Sequence, residues 1–235
     1  MSSMVAVRGG KQGYAVWSTN GYAGMHEAIG TPSGDQVLIP AANAQALSVL
    51  LKKLPPDQEV TLSLGNDGRI LRVEGEAFAW WSAIGESKYP DITQVIPSSS
   101  HTEVTVSRQV LIDACQRCHT FRSEQAIYVT LAVDHDELTV SSPMSLEHGS
   151  ASETVHAQIA GHYPFTVHIN YSYLLAALQS CETDEVAIGF PDLSGLDAAF
   201  REKSNAAYSG LIITVRPVGD QALTCLVIPV VVGGT

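Results

Sequence analysis

The sequence predicts an α+β fold made of a repeated unit in which one strand is followed by a helix and then by three strands. Short segments alternate apolar and polar residues, as strands do, and the segments between them carry the spacing of amphipathic helices. The same order recurs three times. Val37, Val104 and Val167 take equivalent places in the three opening strands, and they lie 67 and 63 positions apart. Three copies at one spacing favour a repeat over a chance run of elements in an ordinary α+β protein.

The first full unit opens with the strand VLIP and continues with the helix AANAQALSVLLKKL, which ends at Leu54. The helix has leucines at the i, i+3, i+4 and i+7 positions of one face: Leu47, Leu50, Leu51 and Leu54. Three strands follow, at 59–64, 69–75 and 77–84.

The second unit opens at 103–107 and has a helix over 108–121 for which Ser107 is the predicted N-cap. Its later strands are AIYVTLAV, ELTVSS and SASETVHAQIAG. The third unit opens at 165–170, and Asn170 is the predicted N-cap of its helix YSYLLAALQS. Strands at 185–190, 210–217 and 223–232 complete it.

Residues 4–30 contain only short strands separated by glycine-containing turns, at 4–9, 13–19 and 22–28. They resemble a unit that lacks its opening strand and helix. The chain therefore divides into two predicted domains, 1–97 and 98–235.

The composition excludes a disordered chain, because 45% of the 235 residues are hydrophobic and 16% are charged. No apolar run is long enough for a membrane span, and no export or transit signal is visible, so we expect a cytoplasmic protein. A formal net charge of -11 repels nucleic acid. Any contact with DNA must therefore be local or topological.

The chain shows no arrangement of residues typical of catalysis, neither a nucleophile elbow nor a phosphate loop nor an HExxH helix, and we expect no enzymatic activity and no cofactor. The motif CQRCH at 115–119 is typical of haem attachment, zinc binding or redox chemistry. Cys115 and Cys118, however, continue the apolar face of a predicted helix. A haem or redox protein is therefore only a remote alternative, and the four cysteines are predicted to lie in the core.

The repeats resemble the bacterial beta sliding clamp, the ring-shaped processivity subunit of DNA polymerase III. The resemblance rests on STNGYAG at 18–24, VLIPAANAQALSVLL at 37–51, the linker-like SKYPDITQVIP at 87–97, and two long segments at 168–190 and 209–232. It implies a DNA clamp fold with antiparallel sheets outside and helices on one face. Residues 1–97 resemble a trimmed second domain and 98–235 a complete third domain, whereas the first domain is missing from this sequence.

The resemblance also implies two sites. A cleft for short linear peptides of polymerases and other partners would be formed by Thr19, Gly21, Tyr22, Pro97, Leu226, Val227, Ile228, Pro229 and Val230. A His-Arg pair expected after the glycine is replaced by Tyr22-Ala23, so peptide preference should differ. Duplex DNA would face Lys52, Lys53, Arg108, Arg117 and Arg122. RSEQ at 122–125 departs from the family pattern, and residues 196–208 form an insertion.

Two functions remain open at this point. The chain is either a processivity factor that oligomerises around DNA, or a clamp-derived interaction module that binds partner peptides of replication or repair proteins without encircling DNA. The predicted helix 41–54 has no neighbouring helix in its own domain, and the exposed leucines and strand edge predict a homo-oligomer.

Overall fold

A computed structural model describes residues 4–65, 68–86, 89–121, 126–145, 147, 149–193 and 211–230. The chain divides into two compact units. Unit 1 comprises Met1–Gly21 and His26–Ile92, and unit 2 comprises Tyr22–Met25 and Thr93–Thr235. The division thus falls before Pro97, the predicted boundary, and it assigns a short segment near the N-terminus to unit 2.

Unit 1 holds two antiparallel sheets and one described α-helix. Strands β1 (Met4–Gly10), β2 (Gly13–Thr19), β3 (Ala23–Gly30, of which Ala23–Met25 belong to unit 2) and β4 (Gln36–Pro40) lie in the order β3-β2-β1-β4. Helix α1 spans Ala41–Leu51. Strands β5 (Thr61–Gly65), β6 (Ile70–Gly75) and β7 (Phe78–Ala83) form the second sheet in chain order.

The core of unit 1 lies between these sheets. Val37 and Ile39 of β4 pack against Leu71 and Val73 of β6, and Leu47 of α1 packs onto the same cluster. Helix α1 is shorter than the sequence predicts, and none of its residues is buried. The predicted leucine face therefore covers the core only in part, because no second described helix of unit 1 lies beside it.

Unit 2 contains two described α-helices and two five-stranded sheets. In chain order its elements are β8 (Thr102–Ser107), α2 (Arg108–Thr120), β9 (Tyr128–Asp134), β10 (Glu137–Ser141), β11 (Ser152–His156), β12 (Gln158–Gly161), β13 (Phe165–Asn170), α3 (Tyr171–Ser180), β14 (Glu185–Phe190), β15 (Ile213–Pro217), β16 (Leu223–Val227) and β17 (Pro229–Val230). Within the unit the sheets run β12-β8-β14-β15-β16 and β11-β10-β9-β13-β17. The described strand pairs are antiparallel, so the predicted α+β class is confirmed.

Helices α2 and α3 pack against one another and against the strands, which places Leu111 and Leu174 in one large core. The side-chain oxygen of Asn170 accepts hydrogen bonds from the amides of Ser172 and Tyr173, as an N-cap should. Ser107 occupies the N-cap position of α2, as predicted, but its hydroxyl makes no capping hydrogen bond. None of the described helices is long and apolar enough to cross a membrane.

Two segments predicted as single strands are divided. Residues 150–161 form β11 and β12, which belong to different sheets, and the break falls at the buried Ala157. The last segment, which begins at Leu223, is likewise divided into β16 and β17 at Ile228. Each break transfers the chain from one sheet of unit 2 to the other.

Candidate functional site

At Ile228, between β16 and β17 of unit 2, the backbone N–H bonds to a segment near the N-terminus. Leu226 and Val227 are buried, whereas the side chain of Ile228 is half-buried. The Ile228 N–H donates a 2.9 Å hydrogen bond to the carbonyl of Tyr22, a residue whose exposed fraction is 66%. The structure therefore brings together two segments that are about 200 positions apart in the sequence.

The short strand β17 continues this surface. Pro229 is buried opposite Ile169, and Val230 is half-buried opposite His168. A proline lacks a backbone N–H, so it is suited to a strand that is only two residues long. Ile228 and Val230 thus leave aliphatic surface accessible on each side of a buried proline.

Pro97 is held on the same unit by Arg216. A guanidinium nitrogen of Arg216 donates to the Pro97 carbonyl at 3.4 Å, and Nε donates to Thr224 Oγ1 at 3.3 Å. Thr224 and Leu226 are two positions apart in β16, so their side chains lie on the same face of the strand. Pro97, Leu226, Ile228 and Tyr22 consequently belong to one unit, but no described contact joins Pro97 directly to Ile228.

A cavity of about 540 Å³ lies next to Pro97, between residues 94–101 and the segment formed by Pro191 and Asp192. Of the predicted cleft residues, only Pro97 lines it. Ser100, which lines the cavity, packs close to Gly189 of β14, and a Cβ at position 189 would collide with Ser100 Oγ. The cavity is therefore a neighbouring feature rather than the predicted cleft itself.

Thr19 and Gly21, the two other predicted cleft residues, lie in unit 1. Thr19 Oγ1 accepts the N–H of Gly21 at 3.0 Å, and Gly21 has a φ of +89°, a conformation that favours glycine. The Thr19 amide donates to the Tyr89 hydroxyl at 2.8 Å, and that hydroxyl reaches the Met4 carbonyl at 2.9 Å. The turn that begins at Thr19 is thus hydrogen-bonded to the linker-like segment within unit 1.

The basic residues expected to face DNA differ in their surroundings. Lys52 and Lys53 are exposed just after α1. Arg108 donates from Nε to the Thr183 carbonyl at 2.7 Å. Arg117 forms a two-point ion pair with Glu153, in which Nε and Oε2 are 2.8 Å apart. Arg122 lies outside the described residues.

The ion pair changes the electrostatics of α2. Hydrogen bonding to Arg117 lowers the pKa of Glu153, and the same hydrogen bond raises the pKa of Arg117. The carboxylate neutralises the charge on Arg117, and helix α3 carries no basic residue. The helices of unit 2 therefore offer little positive charge to a phosphate backbone.

The two cysteines of the CQRCH motif lie in the core of unit 2, as predicted, whereas Gln116 and Arg117 between them are exposed. Cys115 and Cys118 are buried, and Cys118 Sγ lies 3.3 Å from the Val140 carbonyl. Burial raises the pKa of Cys115 to about 12 and also raises the pKa of Cys118. Both thiols thus stay protonated at neutral pH, the form that neither binds metal nor acts as a nucleophile. No cluster of metal-ligating side chains occurs within the described ranges.

Comparison with known proteins identifies the family. Residues 93–216, a little over half of the chain, match the DNA polymerase III beta subunit, C-terminal domain. The chain belongs to this family.

Among curated relatives, the beta sliding clamp of Vibrio cholerae is 26% identical over 159 residues, which cover 67% of this chain and 41% of the relative. The beta sliding clamp of Pseudomonas putida is 27% identical over 183 residues, which cover 77% and 47%. The chain thus spans less than half the length of these clamps.

The solved clamp structures show the same fold. The DNA polymerase sliding clamp of Pseudomonas aeruginosa superposes with a TM-score of 0.81 at 21% identity, over 98% of this chain and 58% of that one. The DNA polymerase III beta subunit of Thermotoga maritima gives 0.79 at 17%, over 99% and 58%. The predicted DNA clamp fold is therefore confirmed.

Two residues with clear structural roles were missed by sequence reasoning. Arg216 is the one basic residue in the apolar strand ITVRP, a pattern that could have marked it for a specific partner. Tyr89 lies within the linker-like motif SKYPDITQVIP, but its sequence context does not reveal that its hydroxyl binds β1 and β2.

Proposed function

We propose that this clamp-family chain is a non-enzymatic cytoplasmic protein of DNA replication or repair, which binds a short linear peptide of a polymerase or another partner. The proposed surface lies on unit 2 and consists of Tyr22, Pro97 and Leu226–Val230. The hydrogen bond from the Ile228 N–H to the Tyr22 carbonyl is the observation that carries the proposal, because it joins the two segments.

The chemistry of this surface suits an apolar peptide. Ile228 and Val230 are half-buried aliphatic side chains, and Tyr22 adds a large exposed ring. Burial of one Leu or Phe side chain of a peptide stabilises a complex by about 1.5 to 3 kcal/mol. Sliding clamps from Pseudomonas aeruginosa and Bartonella birtlesii have been solved with griselimycin bound, which supports a ligand-binding role for the clamp fold.

A peptide titration tests the proposal. A peptide with a Gln, two aliphatic residues and a terminal Phe should bind with micromolar affinity, about -8 kcal/mol, measured by calorimetry. Ile228→Asp should abolish binding, because it places a charge where the peptide would bury an aliphatic side chain. Griselimycin should compete with the peptide.

Val110→Asp is the matched control. Val110 is also aliphatic and belongs to unit 2, but it lies on α2 with an exposed fraction of 46%. The control should bind the peptide like the unmodified chain. Absence of binding at about 1 mM peptide, or equal affinity in the Ile228→Asp protein, would refute the peptide site.

For DNA we propose weak, salt-sensitive or purely topological contact, together with self-association. Weak contact is supported by the net charge of -11 and by the ion pair between Arg117 and Glu153. Lys52 and Lys53 are exposed and could contact phosphates, so a processivity factor is the second candidate function. Retention on a circular duplex that is then linearised separates the two. Loss of protein on cutting indicates enclosure, and absence of retention on the circle indicates an interaction module.

A further inference from the structure

Cys181 and Cys225 form a pair of adjacent thiols in the core of unit 2. Cys181 directly follows the last residue of α3, and Cys225 is the middle residue of β16, so the two are distant in the sequence. Their Sγ atoms lie 3.5 and 3.8 Å from the same acceptor, the Ala177 carbonyl oxygen. The Cys225 thiol also donates a hydrogen bond to the Cys181 sulfur. The fold therefore brings the two sulfur atoms into contact.

The surroundings of Cys181 favour its thiolate form. The hydrogen bond between the two thiols lowers the pKa of Cys181 and raises the pKa of Cys225. Burial and the Asp220 carboxylate oppose the change at Cys181, and the Arg108 guanidinium adds to it. Arg108 is fixed beside this turn, because its Nε donates to the Thr183 carbonyl at 2.7 Å. Since the thiolate is the nucleophilic form of cysteine, Cys181 is the reactive member of the pair.

Cys181 is buried, but it lies at the end of a helix near the surface. Its exposed fraction is 1%, whereas the next residue, Glu182, is exposed. The Cys181 N–H donates to the Leu178 carbonyl at 3.3 Å and so closes the last turn of α3. Helix ends fray and open at a lower free energy than the centre of a core. Brief opening of this turn therefore admits a small uncharged oxidant to the Cys181 sulfur.

We propose that Cys181 and Cys225 are a site of reversible oxidation by peroxides, at which a disulfide links α3 to β16. The Cys181 thiolate attacks one oxygen of hydrogen peroxide, the O–O bond breaks, and a sulfenic acid and hydroxide form. The Cys225 sulfur then attacks the Cys181 sulfur, the S–O bond breaks, and the Cys225 proton leaves with the hydroxyl group as water. The hydroxide from the first step takes up the proton that Cys181 lost, so two thiols and one peroxide become one disulfide and two waters. Low-molecular-weight thiols of a reducing compartment restore both thiols by exchange, which makes the disulfide transient.

Peptide mapping of the 235-residue chain tests the proposal without any variant. The folded protein is treated with hydrogen peroxide, the remaining thiols are alkylated in urea, and trypsin is added without a reductant. Cleavage after Arg201 and Lys203 separates the two cysteines, so their disulfide appears as a pair of linked peptides. We expect this linked pair, and we expect dithiothreitol to remove the link. The Cys181 thiol should be lost faster than the Cys115 thiol by a factor on the order of 10, because burial raises the pKa of Cys115.

Cys118→Ser is the matched control, because a serine hydroxyl can keep the hydrogen bond that the Cys118 thiol donates to the Val140 carbonyl. The control protein should form the same linked peptides. Cys225→Ser removes the second thiol, so oxidation of Cys181 should stop at the sulfenic acid, which dimedone labels. The proposal is overturned if Cys181 and Cys225 stay reduced in excess peroxide, or if either of them is linked to Cys115 or Cys118 instead. Equal selectivity for the pair in the urea-unfolded chain would also overturn it, because the selectivity would then not come from the fold.

Discussion

Replacement of Tyr89 by phenylalanine removes one hydroxyl that bridges backbone groups of unit 1. The hydroxyl accepts the Thr19 N–H at 2.8 Å, and it lies 2.9 Å from the Met4 carbonyl and 3.1 Å from the Thr19 carbonyl. The Trp17 indole also binds this segment, by donating to the Pro90 carbonyl at 3.0 Å. The phenylalanine ring can keep the packing of the tyrosine ring, so the variant isolates the polar contribution.

The expected loss follows from the bonds that disappear. The variant loses one accepted N–H bond and one donated O–H bond, each with a net contribution of about 0.5 to 1.5 kcal/mol. Tyr89 is half-buried, so water replaces part of the lost hydrogen bonding. We expect unit 1 to lose about 1 to 2.5 kcal/mol in its free energy of unfolding.

Tryptophan fluorescence during urea denaturation is the appropriate assay. All three tryptophans of the chain (Trp17, Trp80 and Trp81) lie in unit 1, so the signal reports on the unfolding of that unit. Tyr14→Phe is the matched control, because Tyr14 is 42% exposed. The unfolding free energy of the Tyr14→Phe protein should differ from that of the unmodified chain by less than about 0.5 kcal/mol. A Tyr89→Phe protein with the stability of the unmodified chain and an unchanged slope would refute the reasoning.

Two further predictions concern titration. Burial lowers the pKa of His168 in the folded chain, so the unfolded chain binds more protons once the pH falls below about 6.5. The free energy of unfolding should therefore decline between pH 7 and 5, by less than the limiting slope of about 1.4 kcal/mol per pH unit. Denaturation curves of the His168→Gln protein should show a smaller decline, and an unchanged pH profile would contradict this. The buried Cys115, with a pKa of about 12, should resist iodoacetamide at pH 8 until the chain is unfolded, and rapid native alkylation in a mass spectrum would contradict its burial.

Local sequence signals predicted the elements of the fold well. Apolar periodicity located α2 and α3 to within one residue of their observed ends, and the Asn170 cap was readable because its partners are only two and three positions away. The four cysteines were assigned to the core correctly, because Cys115 and Cys118 continue a helical face. Each of these inferences depends on residues close together in the chain.

Features that depend on distant partners were harder to predict. The strand breaks at Ala157 and Ile228 occur where the chain passes between sheets, but the alternating pattern continues across Ala157 and the hydrophobic run continues across Ile228. The partner of Arg117 is Glu153, 36 positions away, so the helix pattern shows a cation but not the carboxylate that neutralises it. The peptide-site assignment stays a prediction, since it rests on family resemblance and on the geometry of unit 2.

Strands that occupy equivalent places in the repeat are buried to different extents in the two units. Leu62 and Leu64 of β5 alternate with Thr61 and Ser63 and are about half exposed, whereas Ile188 and Phe190 of β14 are buried where β8 pairs with that strand. A hydrophobic pattern therefore records the face that a strand can bury, while the neighbouring element decides whether burial occurs.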